Sequence, residues 1–256
     1  LVGSINSNSL SGAQLVSAPS VPGDSVKAGS AAAPASAGQK DTSLLSPLSR
    51  QLSESAASAA ARDASLSRKE LGAKATELLS QISGDGYFAN KAANDAEVPA
   101  TDDPDLLARA RNATQFVNGS GRNPFAGMSQ DQLSLIIYDD SGNFTANERR
   151  AAWSESSDQE YAWRQKAVAG AMAEYNDTGK LSKFFTSALD HYKDLPAIEQ
   201  AQYPNSYEAK LQAWIALDFN YKTHTVEGQG SPQEILDKVL ALDSGTFDES
   251  RSGPAV

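Results

Sequence analysis

The chain has 256 residues, no cysteine, a net charge of −10 and 40% apolar residues. Without cysteine there is no disulfide framework, thiolate zinc site or cysteine nucleophile. Acidity argues against phosphate-rich partners, and no run of about 18 apolar residues could cross a bilayer, so neither nucleic acid nor a membrane is expected as partner.

The charge is unevenly spread. Residues 1–99 hold 8 Lys/Arg against 9 Asp/Glu, while the remainder holds 14 against 23. Every Phe, Tyr and Trp lies at or after Tyr87. A stretch without aromatics buries little surface per residue and struggles to offset its conformational entropy. Residues 1–43, with the linker-like run VPGDSVKAGSAAAPASAGQKD, therefore read as a disordered Ser/Ala-rich arm. The opening LVGSINSNSLSGAQ lacks the basic start and continuous apolar stretch of a secretory signal peptide.

Residues 44–99 predict two helices and a linker. Leu44, Leu48 and Leu52 recur every four residues ahead of the strong helix former ESAASAAARDA. Ser67 and Glu70 then form a capping box, in which each side chain satisfies a backbone N–H of the other's end of the first turn. Leu71, Ala75, Leu78, Leu79 and Ile82 give the second helix an apolar stripe that needs a partner, and Gly84 is expected to stop it.

From residue 100 to 245 the helix signals become dense. Asp103 caps a helix with Pro104 at its first position, where a missing N–H costs nothing. Ser129 caps the next. Thr145 and Glu148 open a long one running through Trp153, Tyr161, Val168, Met172 and Tyr175. Ser182 starts another, bearing Phe184, Phe185, Leu189 and Tyr192, and Ser206 precedes one bearing Leu211, Trp214 and Ile215. Ser231-Pro232-Gln233-Glu234 starts the last, and residues 246–256 form a flexible tail. No convincing alternating run predicts a strand. The expectation is an all-α fold, an irregular bundle of about five or six helices behind the arm.

One segment occurs twice, 37 residues apart. Tyr138-Asp139-Asp140-Ser141-Gly142-Asn143-Phe144-Thr145 is echoed by Tyr175-Asn176-Asp177-Thr178-Gly179-Lys180-Leu181-Ser182. Each copy ends a helix, turns through glycine and offers a hydroxyl to cap the next helix. The first copy also resembles an EF-hand loop, which binds calcium between two helices around an invariant glycine and a closing bidentate glutamate. With Gly142 at the glycine position, the resemblance implies calcium ligation by Asp139, Ser141, Asn143, Thr145 and Glu148, and departs from the pattern at Ile137, which offers no side-chain oxygen. The same residues also read as a glycine helix stop followed by a capping box.

His191 and His224 are the only histidines. With no nucleophile signature nearby, His191 reads as a solvated stabiliser of a helix C-terminus. The cluster Asp102, Asp103 and Asp105 reads as charge complementing a helix dipole.

These observations support a non-enzymatic, helical protein-interaction module. It is expected in a bacterial cytoplasm or exported without a cleaved signal peptide, as an effector-like protein. The alternatives are a calcium-binding regulator and a hydrolase whose acids are scattered in sequence. The latter requires two carboxylates to meet in one cleft.

Overall fold

The computed structural model describes residues 46–228 together with 231, 233, 234 and 237. The arm expected over 1–43, most of the helix expected after Ser231, and the tail 246–256 lie outside the described residues. Within them the protein is all-α, with ten helices and one pair of two-residue strands.

The aromatic-free zone folds as two helices that dock onto the rest. α1 (Pro47–Ser65) starts where the Ser46 hydroxyl accepts the Ser49 N–H, with Pro47 in the first turn. α2 (Arg68–Ser80) carries the Ser67–Glu70 capping box read from sequence. Its stripe of Leu71, Ala75 and Leu78, with Ile82 just beyond, is buried in the main core, and Leu48 and Leu52 of α1 pack against the same cluster.

Gly84 does not stop α2. That helix has already ended at Ser80, and Gly84, at φ +60°, opens α3 (Gly84–Ala89) instead. The chain doubles back so tightly that a Cβ on Gly86 would lie 2.4 Å from the Ser80 carbonyl oxygen. α4 (Lys91–Ala96) follows, so the stretch expected as linker is partly helical. Its anchor is Tyr87, 1% exposed, whose hydroxyl donates to Asn147 Oδ1 at 2.7 Å. The fully buried Asn147 amide donates in turn to Asn94 O, Asp95 Oδ1 and Thr114 Oγ1.

α5 (Pro104–Val117) begins at Asp103, whose carboxylate accepts from the Asp105 and Leu106 amides. α6 (Gln130–Ile137) begins with a Ser129–Gln132 capping box. α7 (Ala146–Thr178) has 33 residues, about 50 Å at 1.5 Å per residue. It packs on α5, α6 and α8 (Ser182–Asp194). α9 (Ala197–Gln200) returns the chain to α2, and α10 (Tyr207–Leu217) lies on α8. Two strands that sequence did not predict, β1 (Phe219–Asn220) and β2 (Thr225–Val226), pair antiparallel after α10.

Two hydrophobic clusters result. The larger joins Leu71, Leu78, Phe125, Ile136, Phe144 and Ile198 among others. The smaller holds Ala188, Leu189 and Leu211, with Phe185, Tyr207 and Ile215 against it. No helix among the described residues is long and apolar enough to cross a membrane.

Candidate functional site

The loop between α6 and α7 is tied down by its own side chains. Asp139, 5% exposed, accepts four hydrogen bonds. Oδ1 takes the Ser55 and Ser141 hydroxyls at 2.9 and 2.7 Å, and Oδ2 takes the Gly142 and Asn143 amides at 3.1 and 3.0 Å. Gly142 makes the turn at φ +84°. The Asn143 carbonyl accepts from Gln51 Nε2 of α1.

Glu148 is fully buried, and both its oxygens are engaged. Oε2 accepts from the Thr145 amide and hydroxyl, completing the capping box, while Oε1 accepts from Arg109 Nε at 2.7 Å. The Arg109 guanidinium lies 5.0 Å from the Phe144 ring centroid and 5.8 Å from that of Phe125, and it also donates to Gln51 Oε1. Of the five residues that the EF-hand resemblance implies, the structure therefore brings Asp139, Ser141 and Asn143 together around one carboxylate. Thr145 and Glu148 are held together in the capping box. A calcium ion would have to take Asp139 from four donors and Glu148 from a buried arginine. Among the described residues no group of three or more His, Asp or Glu side chains is placed to hold a metal ion.

Arg149 closes the same region from below. It donates to the Ile137 and Leu78 carbonyls, at the C-terminal ends of α6 and α2, and to Gln81 Oε1. Burial lowers the guanidinium from its ordinary range, opposed by Asp139, Glu97 and Asp140.

In the second copy of the motif the cap differs from expectation. Ser182 donates to Asp218 Oδ1 rather than capping α8. Its place is taken by Glu174, whose two oxygens accept the Lys183 and Phe184 amides at 2.8 and 3.1 Å from the end of the preceding helix.

A second candidate, invisible in the sequence, is a cleft of about 320 Å³ between the C-terminal end of α6, the middle of α7 and the segment from Leu195 to Tyr203. Glu160 and Glu199 both line it, beside Leu79, Tyr138, Trp153 and Tyr203. Glu160 has two close neighbours: Arg164 Nη2 lies 3.5 Å from Oε2, and His191 Nε2 lies 2.6 Å from Oε1. The latter approach is off the line of a regular hydrogen bond. The His191 ring stacks on Trp163 with centroids 3.8 Å apart and planes 15° from parallel. The solvated helix end expected for His191 is thus corrected. α7 runs alongside α8 and covers the imidazole with an indole and a carboxylate.

Glu199 is the contrasting acid. Burial pushes its carboxyl up to about 7, the charges of Glu160 and Asp131 push the same way, and a hydrogen bond from Ser134 opposes them. Among the described residues it forms no ion pair. Both acids line the one cleft. Glu160 carries the Arg164 ion pair, whereas Glu199 has none among the described residues.

No protein-family model matches the chain, and no curated protein or solved structure is similar to it.

Proposed function

We propose that this chain is a non-enzymatic helical interaction module that binds a protein partner through the outer face of the second half of α7. One observation carries the reading. Tyr161, Val168 and Met172 are 64%, 54% and 62% exposed, although large apolar side chains on a capped, well-packed helix ordinarily find cover. Their spacings of seven and four residues place them on one stripe, which Tyr175 extends by three more. Full burial of each would contribute about 1.5–3 kcal/mol.

The small exposed residue Ala169 flanks the stripe and lets another backbone approach closely there. The exposed cation Arg164 lies beside it on an otherwise acidic chain. The occupant that fits is an amphipathic helix whose apolar face is edged with acidic residues. A photo-crosslinking residue at Val168 in the full chain should yield one discrete adduct in cells, lost when Met172→Asp is added. An adduct at twice the chain's own mass, or the same adducts from a control position at Lys69, would overturn the assignment.

Export as an effector-like protein is the second half of the proposal and rests on residues 1–43. Deleting them should abolish export and leave the helical fold unchanged. Calcium regulation makes the opposite demand on the loop, because Asp139 and Glu148 would have to leave their present partners. A saturable calcium heat that disappears in Glu148→Gln would establish it in place of the interaction reading.

A further inference from the structure

We propose that the cleft between α6, α7 and the Leu195–Tyr203 segment binds a small organic cation, an ammonium carried on an apolar body, seated on the Glu199 carboxylate. The argument begins with charge. An ionised carboxylate withdrawn from water needs a counter-charge, and Glu160 has Arg164 while Glu199 has a single hydroxyl donor from Ser134. Arg164 also lines the open cleft but pairs with Glu160, so Glu199 stands at its wall without an ion pair of its own among the described residues.

Shape and surroundings narrow the ligand. At about 320 Å³ the cleft sits at the small end of the range that encloses organic ligands. Its walls combine the rings of Trp153, Tyr138 and Tyr203 with the aliphatic Leu79. Aromatic faces attract cations, most strongly where water is excluded, and the same faces accept an apolar body. Inorganic divalent ions are poorly matched, since calcium takes six to eight oxygens and two glutamates with scattered hydroxyls do not supply them.

Proton linkage makes the proposal testable without knowing the natural ligand. The charged and titratable groups facing Glu199 are Asp131 of α6 and Tyr138 just past its end, Glu160 and Arg164 from α7, His191 of α8 through Glu160, and Tyr203 beyond α9. α2 contributes only Leu79. A cation binds the ionised form of Glu199, so affinity rises with pH through the neutral range. For a carboxyl near 7 the ionised fraction falls about tenfold from pH 8 to pH 6.

The probe is 2-phenylethylammonium chloride, titrated by calorimetry into the full chain at pH 8 and pH 6. Saturable binding at one site is expected at pH 8, weakened about tenfold at pH 6 and at least tenfold in Glu199→Gln. The neutral analogue 2-phenylethanol should not compete. Absence of saturable heat at millimolar probe, equal affinity in Glu199→Gln, or equal binding of the alcohol would each overturn the proposal. Glutamine has the shape of the protonated acid, and a thermal melt checks that the variant folds. If it did not, the pH dependence of the wild type would carry the test alone.

Discussion

Truncating Glu148 to alanine tests the loop more sharply than any other change. The side chain is 0% exposed, and its partner Arg109 is 10% exposed, with Nε 2.7 Å from the carboxylate. Removing one member of a buried pair leaves the other charge uncompensated, which costs about 3–5 kcal/mol. Roughly 1 kcal/mol of that total is the lost cap on the Thr145 amide. Gln51 and the rings of Phe125 and Phe144 remain beside the guanidinium, but none carries a negative charge. A domain with 5–15 kcal/mol of stability would lose a large share of it. Urea unfolding of the full chain, followed by tryptophan fluorescence, measures the change. The double variant Arg109→Met, Glu148→Met should recover much of the loss, because no charge is then stranded. A cost below about 1 kcal/mol for Glu148→Ala would show that Arg109 reaches water once released, and the account of the loop as a charge-locked cap would fail.

Two further outcomes follow from the same reasoning. Glu199 holds its proton to about pH 7 when folded but releases it near 4.5 when unfolded, so folding is progressively disfavoured as pH rises between those values. Glu199→Gln should therefore be more stable than wild type by up to about 3 kcal/mol at pH 8 and nearly equal to it at pH 4, read from urea curves at both; parallel curves at both pH values would contradict the shift. Gly170→Ala, where an added Cβ meets nothing within 4 Å, should stabilise α7 by roughly 1 kcal/mol. Gly179→Ala should instead destabilise, since the residue sits at φ +79° and the new methyl would lie 2.5 Å from Asn220 Oδ1; equal melting temperatures for the two variants would undo the contrast.

Helix starts were the most legible part of the chain, because a cap is a local event. Ser67–Glu70 and Thr145–Glu148 each place an oxygen within four residues of the amide it satisfies, so spacing alone identifies them. The docking of α1 and α2 could be anticipated only as a need, since a stripe such as Leu71, Ala75 and Leu78 says that it must be covered but not by what. Distant satisfaction was illegible. Glu174 caps α8 from the end of α7, and Tyr87 and Asn147 link residues sixty apart. Folding of 84–99 into α3 and α4 depends on those long-range bonds, hence its reading as linker. The cleft was hidden for the same reason. Glu160 and Glu199 are 39 positions apart, and nothing near either marks it as facing the other. Only the aromatic Trp163 beside a lone histidine on the neighbouring helix could have hinted that His191 was covered.

The path of the chain through its two clusters has a mechanical consequence. It leaves the larger cluster along α7, forms α8, touches the larger cluster again at Ile198, 1% exposed, and departs once more to form α10 and the strand pair. Unravelling from the C-terminal side therefore strips α10 and the hairpin first and halts at Ile198. To go further, the chain must draw a buried isoleucine out of the larger cluster. α8 is a loop pinned at both ends, so releasing its contacts with α10 frees less chain entropy than releasing a tail would. Residues 197–200, the shortest helix among the described residues, thus act as the rivet that keeps loss of the smaller cluster from spreading into the larger.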